Sequence, residues 1–180
     1  MPDLATQRAC VQALLNTHSP ADAIDSYYAL HHDPARTCIY LHHDTKGQTD
    51  GFLVRSQTGM DLFTPIITMR APSDQAAGAL FHSGLIAGRP YYLLLPTALK
   101  EAAESELEMS ASERLRVYCL DPAHFQPIIN ALVQPKTGLN GLPRYEICSS
   151  QRVLSTSGVI WQSSHFAEVS VSTAPEARGR

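Results

Sequence analysis

The sequence has no Cys-x-x-Cys pair, no block of basic residues, no low-complexity segment, no internal repeat by period, and no apolar run near the roughly 20 residues that cross a bilayer. Each absence removes a class of function. Scattered Lys and Arg and a net charge of -3 leave no electrostatic footprint for a phosphate backbone, so no nucleic acid is expected as a partner. The start, Met1-Pro-Asp-Leu, lacks a basic region followed by an apolar stretch, which together with the missing apolar run leads us to expect a cytoplasmic protein with no membrane partner. Cys10, Cys38, Cys119 and Cys148 are far apart in apolar or strand-like surroundings and read as buried free thiols rather than disulfides.

What is present is an ordinary globular composition. An apolar share of 44% against 17% charged residues is too rich in core-forming side chains for disorder, and 180 residues suffice for one or two compact units. Leu4 to Leu15 carries apolar residues loosely at helical spacing. Ser19-Pro20 then supplies a cap with proline at the first helical position of a second helix, Ala21 to Leu30. Thr37 to Leu41 and Gly51 to Arg55 are β-prone runs joined by the turn-rich Asp44 to Asp50, which predicts an antiparallel hairpin.

Between Met60 and Met69, Pro65 lacks a backbone donor, so a strand there is expected to be broken, bulged or at a sheet edge. Ser73 opens an Ala-rich helix that Gly84 and Gly88 stop, and Pro90 to Leu95 reads as a buried strand. Thr97 is placed to cap a helix through Leu107, and Arg114 to Leu120 alternates as a half-buried strand does.

Pro127 to Pro143 is rich in proline, glycine and asparagine and marks the expected boundary, placed near Leu139, between a region 1–138 and a region 139–180. Three strand signals follow in the second region: Arg144 to Cys148, Val153 to Gln162 and Phe166 to Thr173, a β-meander. Without regular β-α alternation, the fold class is α+β, a mostly antiparallel mixed sheet with flanking helices.

The final segment from Gly158 is the informative one. Phe166 to Thr173 carries Glu168-Val-Ser-Val, then the turn Ala174-Pro-Glu-Ala, then Arg178-Gly179-Arg180. This resembles the central part of the GNAT superfamily of N-acetyltransferases, in which a strand bearing E-[IV]-x-V leads through a proline turn into [QR]-x-x-G-x-[GA] and a helix. The resemblance covers about Arg144 to Arg180 and reaches only the first three positions of the six-residue motif. Residues 1–138 have an element order compatible with a degenerate GNAT-like domain.

By alternation, Glu168, Ser170 and Ser172 share one strand face, while Val169 and Val171 share the other and read as core. The resemblance implies acetyl-CoA as cofactor and an amine as acceptor, with Glu168 as general base. It implies a backbone donor at Val171 that polarises the thioester carbonyl, and main-chain groups of Ser172 and Thr173 along the pantetheine arm. Arg178, Gly179 and Arg180 begin the pyrophosphate loop. A parent cut short inside that loop is expected to bind acetyl-CoA weakly or not at all, to be inactive alone, and to associate as a dimer through its exposed sheet. The alternative is a non-catalytic ligand-binding or regulatory α+β domain.

Two His-His-Asp runs, His31-His32-Asp33 and His42-His43-Asp44, contain metal-ligand residue types. Neighbouring residues on a strand face opposite ways, so each run offers one ring per site, and no metal is assigned.

Overall fold

The computed structural model describes residues 3–59, 61, 63–126, 132–138, 140–150 and 152–179. The chain divides into two compact units, Met1–Val117 and Tyr118–Arg180. The fold is α+β, with two four-stranded sheets and flanking helices. Among the described residues, no helix is long and apolar enough to cross a membrane.

The first unit begins with α1 (Leu4–Gln12), which Asp3 caps by accepting the Thr6 N–H at 2.7 Å. The Ser19 side chain accepts from the Ala21 N–H at the head of the next turn, with Pro20 in its first position, and α2 (Ala23–Ser26) runs on into a π-helical turn, Tyr27–His31. Strands β1 (Thr37–His43), β2 (Thr49–Ser56) and β3 (Ile66–Arg70) pair antiparallel in sequence order. After α3 (Asp74–Gly84), β4 (Tyr92–Leu94) joins parallel to β3, and α4 (Lys100–Glu106) closes the unit.

Alternation along β2 explains why this sheet is covered on both sides. Phe52 and Val54 point to one face, where they pack with Ile39 of β1, Val11 of α1, and Tyr28 and Ala29. Leu53 points to the other, with Ile67 and Met69 of β3, and meets Ala77, Leu80 and Phe81 of α3 and Ala102 and Ala103 of α4. Burying each of the larger side chains is worth about 1.5–3 kcal/mol. Gly84 is required at the end of α3: a Cβ there would stand 2.7 Å from Leu53 Cδ2 and 3.2 Å from Tyr40 Cδ2. Its carbonyl accepts from Arg55 Nη1 at 2.8 Å, fixing the helix end to β2.

The second unit is a single antiparallel meander, β5 (Val133–Thr137), β6 (Pro143–Ser149), β7 (Arg152–Gln162) and β8 (Ala167–Thr173). Its described residues include no α-helix. The cross-strand pairs put Tyr145, Ile147, Val159, Val169 and Val171 on one face. Arg144, Glu146, Thr156, Ser170 and Ser172 lie on the other.

Several expectations are corrected. The division falls between Val117 and Tyr118, ahead of Leu139, because β5 is a partner of β6 and draws its surroundings into the second unit; Leu139 itself lies outside the described residues. Arg114 to Leu120 forms no strand despite its alternation, and Leu115 and Val117 are exposed. Pro65 precedes β3 rather than breaking it, and its carbonyl accepts the Tyr92 N–H at 3.0 Å, so β3 is an interior strand; Met60 and Leu62 lie outside the described residues. β4 is an edge strand with Tyr92 exposed, not a buried one. Thr97 opens a 3-10 turn, and α4 starts at Lys100 without a side-chain cap. The cysteines are free, but Cys38 and Cys119 are exposed and Cys10 and Cys148 half-buried.

Candidate functional site

The predicted site residues gather on β8 and the turn beyond it. β8 pairs with β7 alone among the described strands, so its other edge is open. Which amides face that edge follows from one hydrogen bond: the Ala174 N–H donates to the Leu154 carbonyl at 2.8 Å. In an antiparallel ladder bonded and non-bonded pairs alternate, so Ser172 and Ser170 direct their main-chain groups to β7. Val169, Val171 and Thr173 direct theirs outward. The Val171 N–H, expected to act as a carbonyl donor, therefore points away from the sheet.

Val169 and Val171 are not core residues: they are 58% and 72% exposed. The reason is that no described element of the second unit lies over their face. Glu168 is exposed on the opposite face, in register with Trp161 where β7 bulges between Val159 and Trp161. Among the described residues no hydrogen bond or ion pair holds its carboxylate.

Ser172 and Thr173 are tied to β7: Ser155 Oγ donates to the Ser172 carbonyl at 3.1 Å and lies 3.1 Å from Thr173 Oγ1. A 3-10 turn, Pro175–Ala177, follows, with the Ala177 N–H donating to the Ala174 carbonyl at 2.9 Å. Arg178 folds back, its Nε donating to the Thr173 carbonyl at 3.2 Å, and Gly179 takes the left-handed φ of 76° that favours glycine. Arg180 lies outside the described residues. Glu168, Val171, Ser172 and Thr173 thus lie along β8, Glu168 near its start and Thr173 at its end, with Arg178 and Gly179 in the turn beyond.

The first unit contains a passage that sequence reasoning missed. β3 ends at Arg70 and runs through Ala71-Pro72 into α3, just as β8 ends at Thr173 and runs into Ala174-Pro175. Gln75-Ala-Ala-Gly78-Ala-Leu80 follows, similar to [QR]-x-x-G-x-[GA] at Gln75 and Gly78 and departing at Leu80. The repeated strand–Ala–Pro was the available signal.

The N-terminus of α3 is nevertheless closed. Ser73 Oγ accepts the Ala76 N–H at 3.2 Å, the Ser73 carbonyl accepts the Ala77 N–H at 2.9 Å, and Asp74 places a negative charge in the first turn, where an anionic ligand would be repelled. Gly78 serves packing: a Cβ there would lie 3.2 Å from Glu106 Oε1 of α4.

At the end of β3 stands a second cluster that motif reading did not find. Arg70 Nη2 lies 2.6 Å from Asp22 Oδ1 and 3.7 Å from Asp25 Oδ2, and its Nη1 donates to the Leu14 carbonyl at 2.9 Å. Burial pushes the Asp25 carboxyl up to about 7, against the pull of Arg70 and with a further push from Asp22. Burial also works to raise Asp22, but its hydrogen bonds from Arg70 and from the Asn16 N–H outweigh this and hold it below the usual carboxylate range.

The histidine runs have local partners. His32 Nδ1 lies 2.9 Å from Thr37 Oγ1, and burial lowers its pKa. His42 Nδ1 lies 2.6 Å from Asp50 Oδ1, and His43 Nδ1 3.3 Å from Thr49 Oγ1. The described residues contain no group of three or more His, Cys, Asp or Glu side chains placed to hold a metal ion. Comparisons with protein-family models, with curated proteins and with solved structures give no match to this chain.

Proposed function

We propose that the chain is related to the GNAT N-acetyltransferases, with β8 as the reactive strand of the second unit and the first unit as a non-catalytic, degenerate counterpart. The observation that carries this reading is the outward N–H of Val171 on a strand whose other face presents Glu168 and which leads into Ala174-Pro175. Bound acetyl-CoA supplies the acetyl group as a thioester. The Val171 N–H would donate to the acyl carbonyl oxygen and stabilise the charge that attack by an amine develops there. Glu168 would take the proton that the amine loses. Main-chain groups at Thr173 and at Arg178-Gly179 border the same open edge and supply the remaining contacts.

The first unit lacks these provisions. Seven residues before Pro175 stands Glu168, and seven before Pro72 stands Pro65. Thr68, which takes the place of Val171, lies between Val54 of β2 and Leu94 of β4, so its strand has no open edge there. Together with the capped N-terminus of α3, this supports a non-catalytic first unit.

The test is an NMR-detected titration of the 180-residue chain with acetyl-CoA. Weak binding, with a dissociation constant of about 1 mM, should move the amide signals of Val171, Thr173 and Gly179 and leave Ala76 and Ala77 in place. Stationary β8 signals would sink the assignment, and movement at α3 instead would transfer the site to the first unit.

A further inference from the structure

We infer that the open edge of β8 pairs with β8 of a second copy of this chain, antiparallel about a two-fold axis at Ser170. An open strand edge is a row of unpaired N–H and C=O groups, and proteins blunt such edges with proline, lysine, bulges or shortness. Two of the other three edges of the two sheets are blunted in these ways. β4 has three residues and β5 carries Pro135 and Lys136, whereas the bulge beside β1 belongs to β2, at Asp50. β8 has seven residues, Ala-Glu-Val-Ser-Val-Ser-Thr, with no proline and no basic side chain of its own, and the bulge beside it belongs to β7. Arg178 Nε takes the Thr173 carbonyl at the end of the edge and leaves Val169 and Val171 to form the ladder.

The strand is also complementary to itself. Rotation about Ser170 sets Ala167 opposite Thr173, Glu168 opposite Ser172, Val169 opposite Val171, and Ser170 opposite its own copy. The one charge never meets its like, and two valine pairs form on one face. Val169 and Val171 are also the residues whose main-chain groups point outward, so each valine pair is a hydrogen-bonded pair of the new ladder. The apolar face that holds Tyr145, Ile147 and Val159 then continues across the axis. A contact of one strand edge is smaller than the ~1,000 Å² of a firm interface, so the dimer is weak and concentration-dependent. The ladder occupies the same Val171 amide that acyl transfer would use, so pairing and acetyl-CoA binding exclude each other; the test contains no cofactor.

Sedimentation of the full 180-residue chain over a concentration series should show the mean mass rising from 19.7 kDa toward twice that value. Val171→Pro removes an outward donor that β7 does not use, and should hold the protein at monomer mass with an unchanged far-ultraviolet spectrum. Val171→Lys should weaken association, and adding Val169→Glu should restore it in low salt, because opposite charges then face each other in both pairs. Monomer mass up to about 1 mM, or undiminished association of the folded Val171→Pro protein, overturns the proposal. Failure of the double variant to recover over Val171→Lys overturns the Ser170 register.

Discussion

The two units handle the same problem, a sheet with apolar side chains, in different ways. In the first, α1 and α2 cover the face of Phe52 and Val54, α3 and α4 cover the face of Leu53 and Met69, and all four of these side chains are fully buried. In the second, no α-helix is described, and Val169 and Val171 stand open on the last strand. The difference shows that alternation produces a strand with or without a covering layer, while rigidity and a blunted edge need the rest of the unit. The first unit is the better-braced body; the second carries the exposed amides and the carboxylate.

This contrast can be broken or sharpened by experiment. The single tryptophan, Trp161, lies on β7, so its fluorescence reports the second unit, whereas helical circular dichroism reports the first. The largest effect is expected from Phe52→Ala, which should lower the stability of the first unit by about 3–5 kcal/mol. The helical transition should shift in denaturant while the Trp161 transition stays; joint movement would show that the two units unfold as one.

Next in size is the pH response of Asp25. Its pKa is raised in the folded state, from an ordinary 3.8 to about 7, so folding favours the protonated acid. Its contribution is fully present below pH 3.8 and is lost as pH rises through 7. Asp22, held below the usual range, acts in the opposite sense and loses its contribution only in acid below 3.8. Asp25→Asn should therefore stabilise the helical transition at pH 8 relative to the parent protein and lose that advantage near pH 4, with Trp161 indifferent throughout. An equal gain at both pH values would refute the assignment.

Ser73→Ala should cost the first unit about 1 kcal/mol by removing the cap of α3, seen as a small shift of the helical midpoint. Smallest of all, Val171→Ala should change the Trp161 transition by less than about 0.5 kcal/mol, because that side chain is 72% exposed. A loss as large as that of Phe52→Ala would mean that the open face is covered after all.

Much of the fold was legible where a local signal and its tertiary partner agree. The turn-rich Asp44 to Asp50 predicts the β1–β2 hairpin, Ser73 the start of α3, and the last three strand signals the meander. Arg114 to Leu120 has the same period of two and forms no strand, since alternation encodes a face but not the neighbour that pairs with it. Pro65 misled because it stands one residue before β3, where a missing donor has no effect on the ladder. On the site, the face that carries Glu168 was readable from parity alone. The outward direction of the Val171 amide was not, because it depends on which β7 residue Ala174 reaches.

Arg70 has a consequence for motion. One guanidinium links the chain after α1 through Leu14, the entry to α2 through Asp22 and Asp25, and the final residue of β3. Releasing any one of these strands counter-ions in a poorly solvated corner, so the corner does not fray piecemeal. Its amide protons should exchange with solvent only when the whole first unit opens, making a loop-rich region as slow to trade hydrogen as the sheet it borders.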